Sequence, residues 1–171
     1  SYEGLKHAMQ QALYSESKLV AVRYPRGAQR AIPESIKPTF ADFDVFGDEN
    51  AEKAIVTYGR TFSACAFAYE KLVNSGESVK LIKLNRIIPV CEGAVEAAKN
   101  CRDVYFFEEG IRCGGAGEGF LFNLSKAGFS GKYHLRAIEN GFVKQASVES
   151  LLHKYGFDEE GVLSFVTSAE D

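Results

Sequence analysis

At the start of the chain Leu5, Ala8, Met9, Ala12 and Leu13 share one stripe at helical spacing, with Lys6, Gln10 and Gln11 on the other side. This spacing predicts an amphipathic helix. Residues 18–24 then bring Leu19, Val20, Ala21 and Val22 into a short run of strand character, closed by the turn residues Pro25 and Gly27. Over residues 28–53 the periodicity is lost. Pro33, Pro38 and Gly47 interrupt Phe40, Phe43, Val45 and Phe46, so the stretch reads as a connecting segment, partly extended and pinned by its aromatics.

From residue 54 onward, strand and helix patterns alternate. An apolar run predicts a strand over 54–58, and further strands are predicted over 79–84, 104–107 and 133–138. Between them lie three helical patterns. Residues 61–74 put Phe62, Cys65, Ala66, Tyr69, Leu72 and Val73 on one face, with Gly76 as the stop; residues 93–99 and 120–126 are shorter. Val148, Leu151, Leu152 and Tyr155 predict a further helix stopped by Gly156, and Asp158 is placed to cap a last helix carrying Val162, Leu163 and Phe165. Alternation of this kind predicts an α/β fold in three layers, a mainly parallel sheet with helices on both faces, preceded by a helix-strand piece.

Composition narrows the functional classes. The chain has 171 residues, 46% hydrophobic and 25% charged, which is the balance of a folded globular domain. A net charge of −3 offers no electrostatic footprint for nucleic acid or an anionic membrane. No apolar run reaches the roughly 20 residues of a membrane span. Cys65, Cys91, Cys101 and Cys113 are scattered, with no Cys-x-x-Cys pair and no histidine at ligand spacing, so they read as free, mostly buried thiols of a cytoplasmic protein rather than zinc ligands. The chain opens at Ser1 without methionine, as a processed chain or an excised piece would.

Three features offer chemistry. Arg23-Tyr24-Pro25-Arg26-Gly27 follows a predicted strand, where open α/β sheets place ligands, and two guanidinium forks around a rigid turn suit a phosphate or carboxylate. A pair of surface arginines at a strand end is the plainer alternative. Glu108-Glu109-Gly110 and Gly114-Gly115-Ala116-Gly117-Glu118-Gly119 lie between a strand and a helix. They match neither the dinucleotide fingerprint nor the P-loop, and their carboxylates would repel an anion, so close helix-sheet packing accounts for the glycines better than a phosphate cradle does. His7, His134 and His153 come without a nucleophile or metal motif, and Glu108 and Glu109, adjacent on a strand end, must diverge.

Taken in order, Ala21-Val22-Arg23-Tyr24-Pro25-Arg26-Gly27, Ala54-Ile55-Val56-Thr57-Tyr58-Gly59, Phe106-Phe107-Glu108-Glu109-Gly110 with Gly114-Gly115-Ala116-Gly117, Asn140-Gly141-Phe142-Val143 and Tyr155-Gly156-Phe157-Asp158-Glu159-Glu160-Gly161-Val162 resemble the C-terminal part of transketolase-like thiamine-diphosphate enzymes. More narrowly, they resemble the 1-deoxy-D-xylulose-5-phosphate synthases. The resemblance implies that residues 1–33 are the tail of a pyrimidine-binding domain, 34–52 a linker, and 53–171 a transketolase-like C-terminal domain. It implies a parent that condenses pyruvate with glyceraldehyde 3-phosphate using thiamine diphosphate and Mg, as a cytoplasmic homodimer. Within the fragment it implies no catalytic residue and no cofactor or metal site, only Arg26 holding the substrate phosphate, with Arg23 a weaker candidate, and the remaining domains of the parent as partners. Ile88-Pro89-Val90-Cys91 and Glu92 depart from the family's Lys-Pro-Leu-Asp, and Asn140-Gly141-Phe142-Val143 stands where Pro-Asp is common. Two alternatives stay open: a 2-oxo-acid dehydrogenase β-type subunit, and a non-catalytic dimerisation module.

Overall fold

The computed structural model describes residues 1–16 and 19–168. Its contacts divide the chain into two compact units, Ser1–Ala31 and Ile32–Asp171. In the first, α1 (Tyr2–Tyr14) forms as its spacing requires. The Ser1 side chain accepts the Gly4 N–H at 3.0 Å, satisfying one of the free donors at the helix start. The segment 19–31 returns without helix or strand and is tied to α1 by Gln29 Oε1, which accepts the Tyr2 N–H at 2.9 Å. The strand expected over 18–24 is therefore not formed at 19–24, and Lys18 lies outside the described residues. A strand needs a neighbour for its amides and carbonyls, and the described residues of this unit supply none.

The second unit is a five-stranded sheet of order β1-β3-β2-β4-β5. Its strands are β1 (Phe43–Phe46), β2 (Lys53–Tyr58), β3 (Val79–Leu84), β4 (Asp103–Ile111) and β5 (Lys132–Ile138). All neighbours are parallel except β1, which pairs antiparallel with β3 at the edge. The helices are α2 (Thr61–Asn74), α3 (Glu92–Ala98), α4 (Ala116–Lys126), α5 (Val148–Tyr155) and α6 (Glu159–Ser168). β1 is a strand of the sheet inside the stretch expected to connect, and the compact unit begins at Ile32. Its four residues carry too little pattern to stand out from a loop. Two further boundaries differ: β4 runs on through Glu108-Glu109-Gly110 to Ile111, and α4 starts at Ala116 rather than Phe120.

Handedness explains the layers. From β2 through α2 to β3 the chain moves one way along the sheet, then β3 through α3 to β4 crosses back over β2, so right-handed crossovers put α2 on one face and α3 and α4 on the other. Both faces are consequently buried, which is why the central strands β2 and β4 carry the apolar runs Ala54–Val56 and Val104–Phe107. Ile55, Leu81, Tyr105 and Phe107 point into one core with Cys65, Ala66 and Leu72 of α2, Leu152 of α5, and Val162 and Val166 of α6. Their alternates Val56, Ile82, Val104 and Phe106 meet Ala94, Val95 and Ala98 of α3 and Phe120 and Leu124 of α4. α5 ends at Gly156, whose φ of +68° is the left-handed turn that lets the Phe157 N–H reach the Leu152 carbonyl at 2.7 Å. Among the described residues no helix is long and apolar enough to cross a membrane.

Candidate functional site

Arg23 and Arg26 lie on the exposed return segment of the first unit, three residues apart across the Tyr-Pro turn. Both residues are exposed. The structure thus presents the arginine pair on an exposed loop.

The glycine-rich turn resolves differently. β4 alternation turns Phe106 and Glu108 toward α4, and Phe107 and Glu109 toward α2 and α5, so the two carboxylates do diverge. Glu108 is 1% exposed and fills the N-terminus of α4. Its Oε2 accepts the Ala116 N–H at 3.0 Å and the Tyr58 hydroxyl at 2.9 Å; its Oε1 accepts the Gly117 N–H at 3.0 Å. A helix start offers free amides and the positive end of its dipole, and here an internal carboxylate has taken both. Nearby, the Tyr133 hydroxyl donates to the Gly117 carbonyl at 2.7 Å and is pushed above its ordinary pKa, first by burial and then by the charge of Glu108. Gly115 and Gly117 make room for this carboxylate. A Cβ on Gly115 would stand 2.4 Å from Glu108 Oε1 and 2.4 Å from the Ile111 carbonyl; one on Gly117 would stand 2.5 Å from Leu135 Cδ1. Close approach, not phosphate binding, is what they provide.

That occupancy bears on thiamine diphosphate and its metal. Among the described residues no group of three or more histidine, cysteine, aspartate or glutamate side chains converges to hold a metal ion. The glycine turn, the place where backbone amides gather, is filled by Glu108. The Ala116 and Gly117 amides at this turn are therefore taken and not free for a diphosphate.

Cys65, His134 and His153 are tied into packing and pairing. Cys65, Cys91 and Cys101 are buried and Cys113 is exposed. Burial pushes the Cys65 thiol up to about 12, against a weaker opposing hydrogen bond from Thr57, so it is inert at neutral pH. His134 Nε2 meets Asp103 Oδ1 at 3.0 Å and its ring stacks on Tyr105 with centroids 4.5 Å apart. His153, solvent-exposed near the end of α5, meets Asp158 Oδ2 at 2.7 Å, while Asp158 Oδ1 caps α6 by accepting the Gly161 N–H at 2.9 Å. The hydrogen bond and charge of Asp158 raise the His153 pKa above 6.5. Partial burial works against the Asp158 charge, but the His153 bond and the Gly161 amide outweigh it and hold the carboxyl below 3.8. The His153 contribution is complete below 6.5 and is lost as pH rises through the folded value; that of Asp158 is complete above 3.8 and is lost as pH falls through its folded value. The difference in urea midpoint between the native chain and His153→Ala is therefore expected to be flat from pH 3.8 to 6.5 and to shrink above it. A difference that grows between pH 6.5 and 9 would contradict the pairing.

Sequence reasoning missed one place. The connection from β2 leaves toward one face of the sheet and that from β4 toward the other, and ligand crevices of open α/β sheets lie at such a divergence, beyond the carboxyl ends of the strands. Arg60, just after β2, and Glu109 of β4 meet there, with Nε 3.7 Å from Oε2. Beside them a recess of about 170 Å³ is lined by Ile138, Val143, Val148, Leu151, Leu152, Tyr155 and Phe157. The signal in the sequence was Gly59-Arg60 directly after a strand.

Known proteins give the frame for these features. The family described as transketolase, C-terminal domain, matches residues 47–162. The 1-deoxy-D-xylulose-5-phosphate synthase of Thermomicrobium roseum is 28% identical over 163 residues, covering 94% of this chain and 26% of the synthase. That of Geobacillus thermodenitrificans is 28% identical over 160 residues, 88% of this chain and 25% of the synthase. The synthase of Bacteroides fragilis is 27% identical over 169 residues, with 95% and 26% covered. The chain thus spans about a quarter of the length of these relatives. Among solved structures, a split gene transketolase described as an inactive beta4 tetramer superposes with a TM-score of 0.68 at 22% identity, over 81% of this chain and 46% of that one, a likeness of fold. With four of the five strands and the Glu-Glu-Gly segment of β4 inside the matched region, the chain belongs to the transketolase C-terminal-domain family.

Proposed function

We propose that this chain is the C-terminal part of a synthase that joins pyruvate to glyceraldehyde 3-phosphate, releases carbon dioxide and forms 1-deoxy-D-xylulose 5-phosphate. The observation that carries the reading is the extent of the match: similarity to synthases runs over 163 residues and so through both compact units, not the C-terminal domain alone. The Arg23-Tyr24-Pro25-Arg26-Gly27 block lies in the first unit, which on this reading is the tail of the pyrimidine-binding domain. The second unit, Ile32–Asp171, is on this reading the C-terminal domain together with the stretch 34–52 that leads into it.

Thiamine diphosphate supplies the carbanion equivalent for such a reaction and belongs, with Mg, to the rest of the polypeptide. What this chain contributes is the phosphate grip: the Arg26 guanidinium presents two parallel donors to two phosphate oxygens, and Arg23 adds positive charge behind it. The complete enzyme is a cytoplasmic homodimer on this reading.

The test is turnover. The complete polypeptide, supplied with thiamine diphosphate, Mg, pyruvate and glyceraldehyde 3-phosphate, is expected to release carbon dioxide and form deoxyxylulose phosphate, while the 171-residue chain alone forms none. Product from the chain alone, or none from the complete polypeptide, defeats the proposal.

A further inference from the structure

The recess beside Arg60 and Glu109 has three properties that together define an occupant. Its volume, about 170 Å³, is that of one large side chain and lies below the roughly 300–1,000 Å³ of metabolite sites. Its walls are apolar, and they continue onto a rim of exposed apolar residues: Val143 and Val148, the fully exposed Phe142, and Ile111, which pairs with Ile138 of the wall. Residues 139–150 are exposed throughout. At the polar end, Arg60 Nε is buried and has no hydrogen-bond partner among the described residues, 3.7 Å from a Glu109 oxygen and so beyond bonding distance. A donor and an acceptor side by side, neutral as a pair, match the C=O and N–H of a peptide better than they match an isolated anion or cation.

Resting on the proposed function, we infer that this recess and its rim are the docking face for the remaining polypeptide of the synthase. One apolar side chain of that polypeptide fills the recess, its peptide carbonyl accepts the Arg60 Nε–H, and Glu109 accepts the neighbouring N–H. The synthases similar to this chain have about three-quarters of their length outside the matched part, so a polypeptide occupant of the same assembly is at hand. Exposed apolar patches rimmed by polar groups commonly mark such contacts, with a central side-chain anchor.

Hydrogen exchange tests this on the complete polypeptide and on the 171-residue chain. Amides of residues 139–151 are expected to exchange at least tenfold more slowly in the complete polypeptide. Phe142→Ser, at a fully exposed position, should restore fast exchange there, and Leu151→Ala should do the same from inside the recess. Phe122→Ser, exposed on α4, should leave those amides unchanged. Equal exchange in the two proteins overturns the inference. Protection in the isolated chain that rises with its concentration assigns the face to a second copy and also overturns it. Turnover is read separately: a complete polypeptide that makes product with an unprotected face defeats only the docking face, whereas a protected face without product defeats only the proposed reaction.

Discussion

Glu108→Ala is expected to destabilise the second unit by about 3–5 kcal/mol, since it strips an acceptor from three donors in a buried place and leaves a hole behind. The donors are the Ala116 and Gly117 amides and the Tyr58 hydroxyl, all within 3.0 Å of the carboxylate. None finds a substitute nearby. The amides are the first of α4, whose own carbonyls cannot reach back to them, and Tyr58 ends β2 on the opposite side of the turn. Glu108→Gln keeps the shape and one acceptor but aims an NH₂ at a donor, and should cost about 2 kcal/mol. Against the 5–15 kcal/mol that holds a typical domain folded, the alanine change approaches half of the total. Urea unfolding followed by circular dichroism measures it; a loss under about 1 kcal/mol would mean that water replaces the carboxylate and that the cradle is not the support described.

In the complete enzyme, Arg26→Ala is expected to raise KM for glyceraldehyde 3-phosphate about 10- to 100-fold, the loss of a charge-assisted bond of about 1.5–3 kcal/mol. KM for pyruvate, which carries no phosphate, should stay within about twofold. Arg26→Lys should recover only part of the affinity, because an ammonium returns the charge without the planar fork. Arg23→Ala should have the smaller effect. Steady-state kinetics with each substrate varied separately decides the matter. An unchanged KM for glyceraldehyde 3-phosphate would remove Arg26 from the phosphate site and leave the pair as surface arginines.

The two predictions differ in how visible their residues were in the chain. Arg26 stands out on its chemistry alone, two guanidinium groups about a proline turn. Glu108 did not: as one of two adjacent acids beside glycines it read as a reason against anion binding, and only the fold shows that it is itself the anion at the start of α4. Its glycines were legible as close-packing residues, but what they pack against was not. Arg60 and Glu109 are forty-nine positions apart in the numbering and meet only because β2 and β4 are neighbours.

By itself the sequence determined the alternating strands and helices of the second unit, with Thr61–Asn74 and Val79–Leu84 legible to the residue and α5 by its apolar face and its Gly156 stop. These elements are set by local causes: apolar period, caps, and glycines that end helices. Asp158 as the cap of α6 and the divergence of Glu108 and Glu109 follow from the same short-range geometry. The tertiary structure alone decided the rest. Residues 43–46 become a strand because β3 offers an edge, whereas 19–24, richer in β-branched and apolar residues, stay irregular because the described residues of their unit offer none. A strand is completed by hydrogen bonds to residues far away in sequence, and so is a site between two strand ends. Helices carry their bonds within themselves, which is why they could be read from the chain and the sheet's edge and crevice could not.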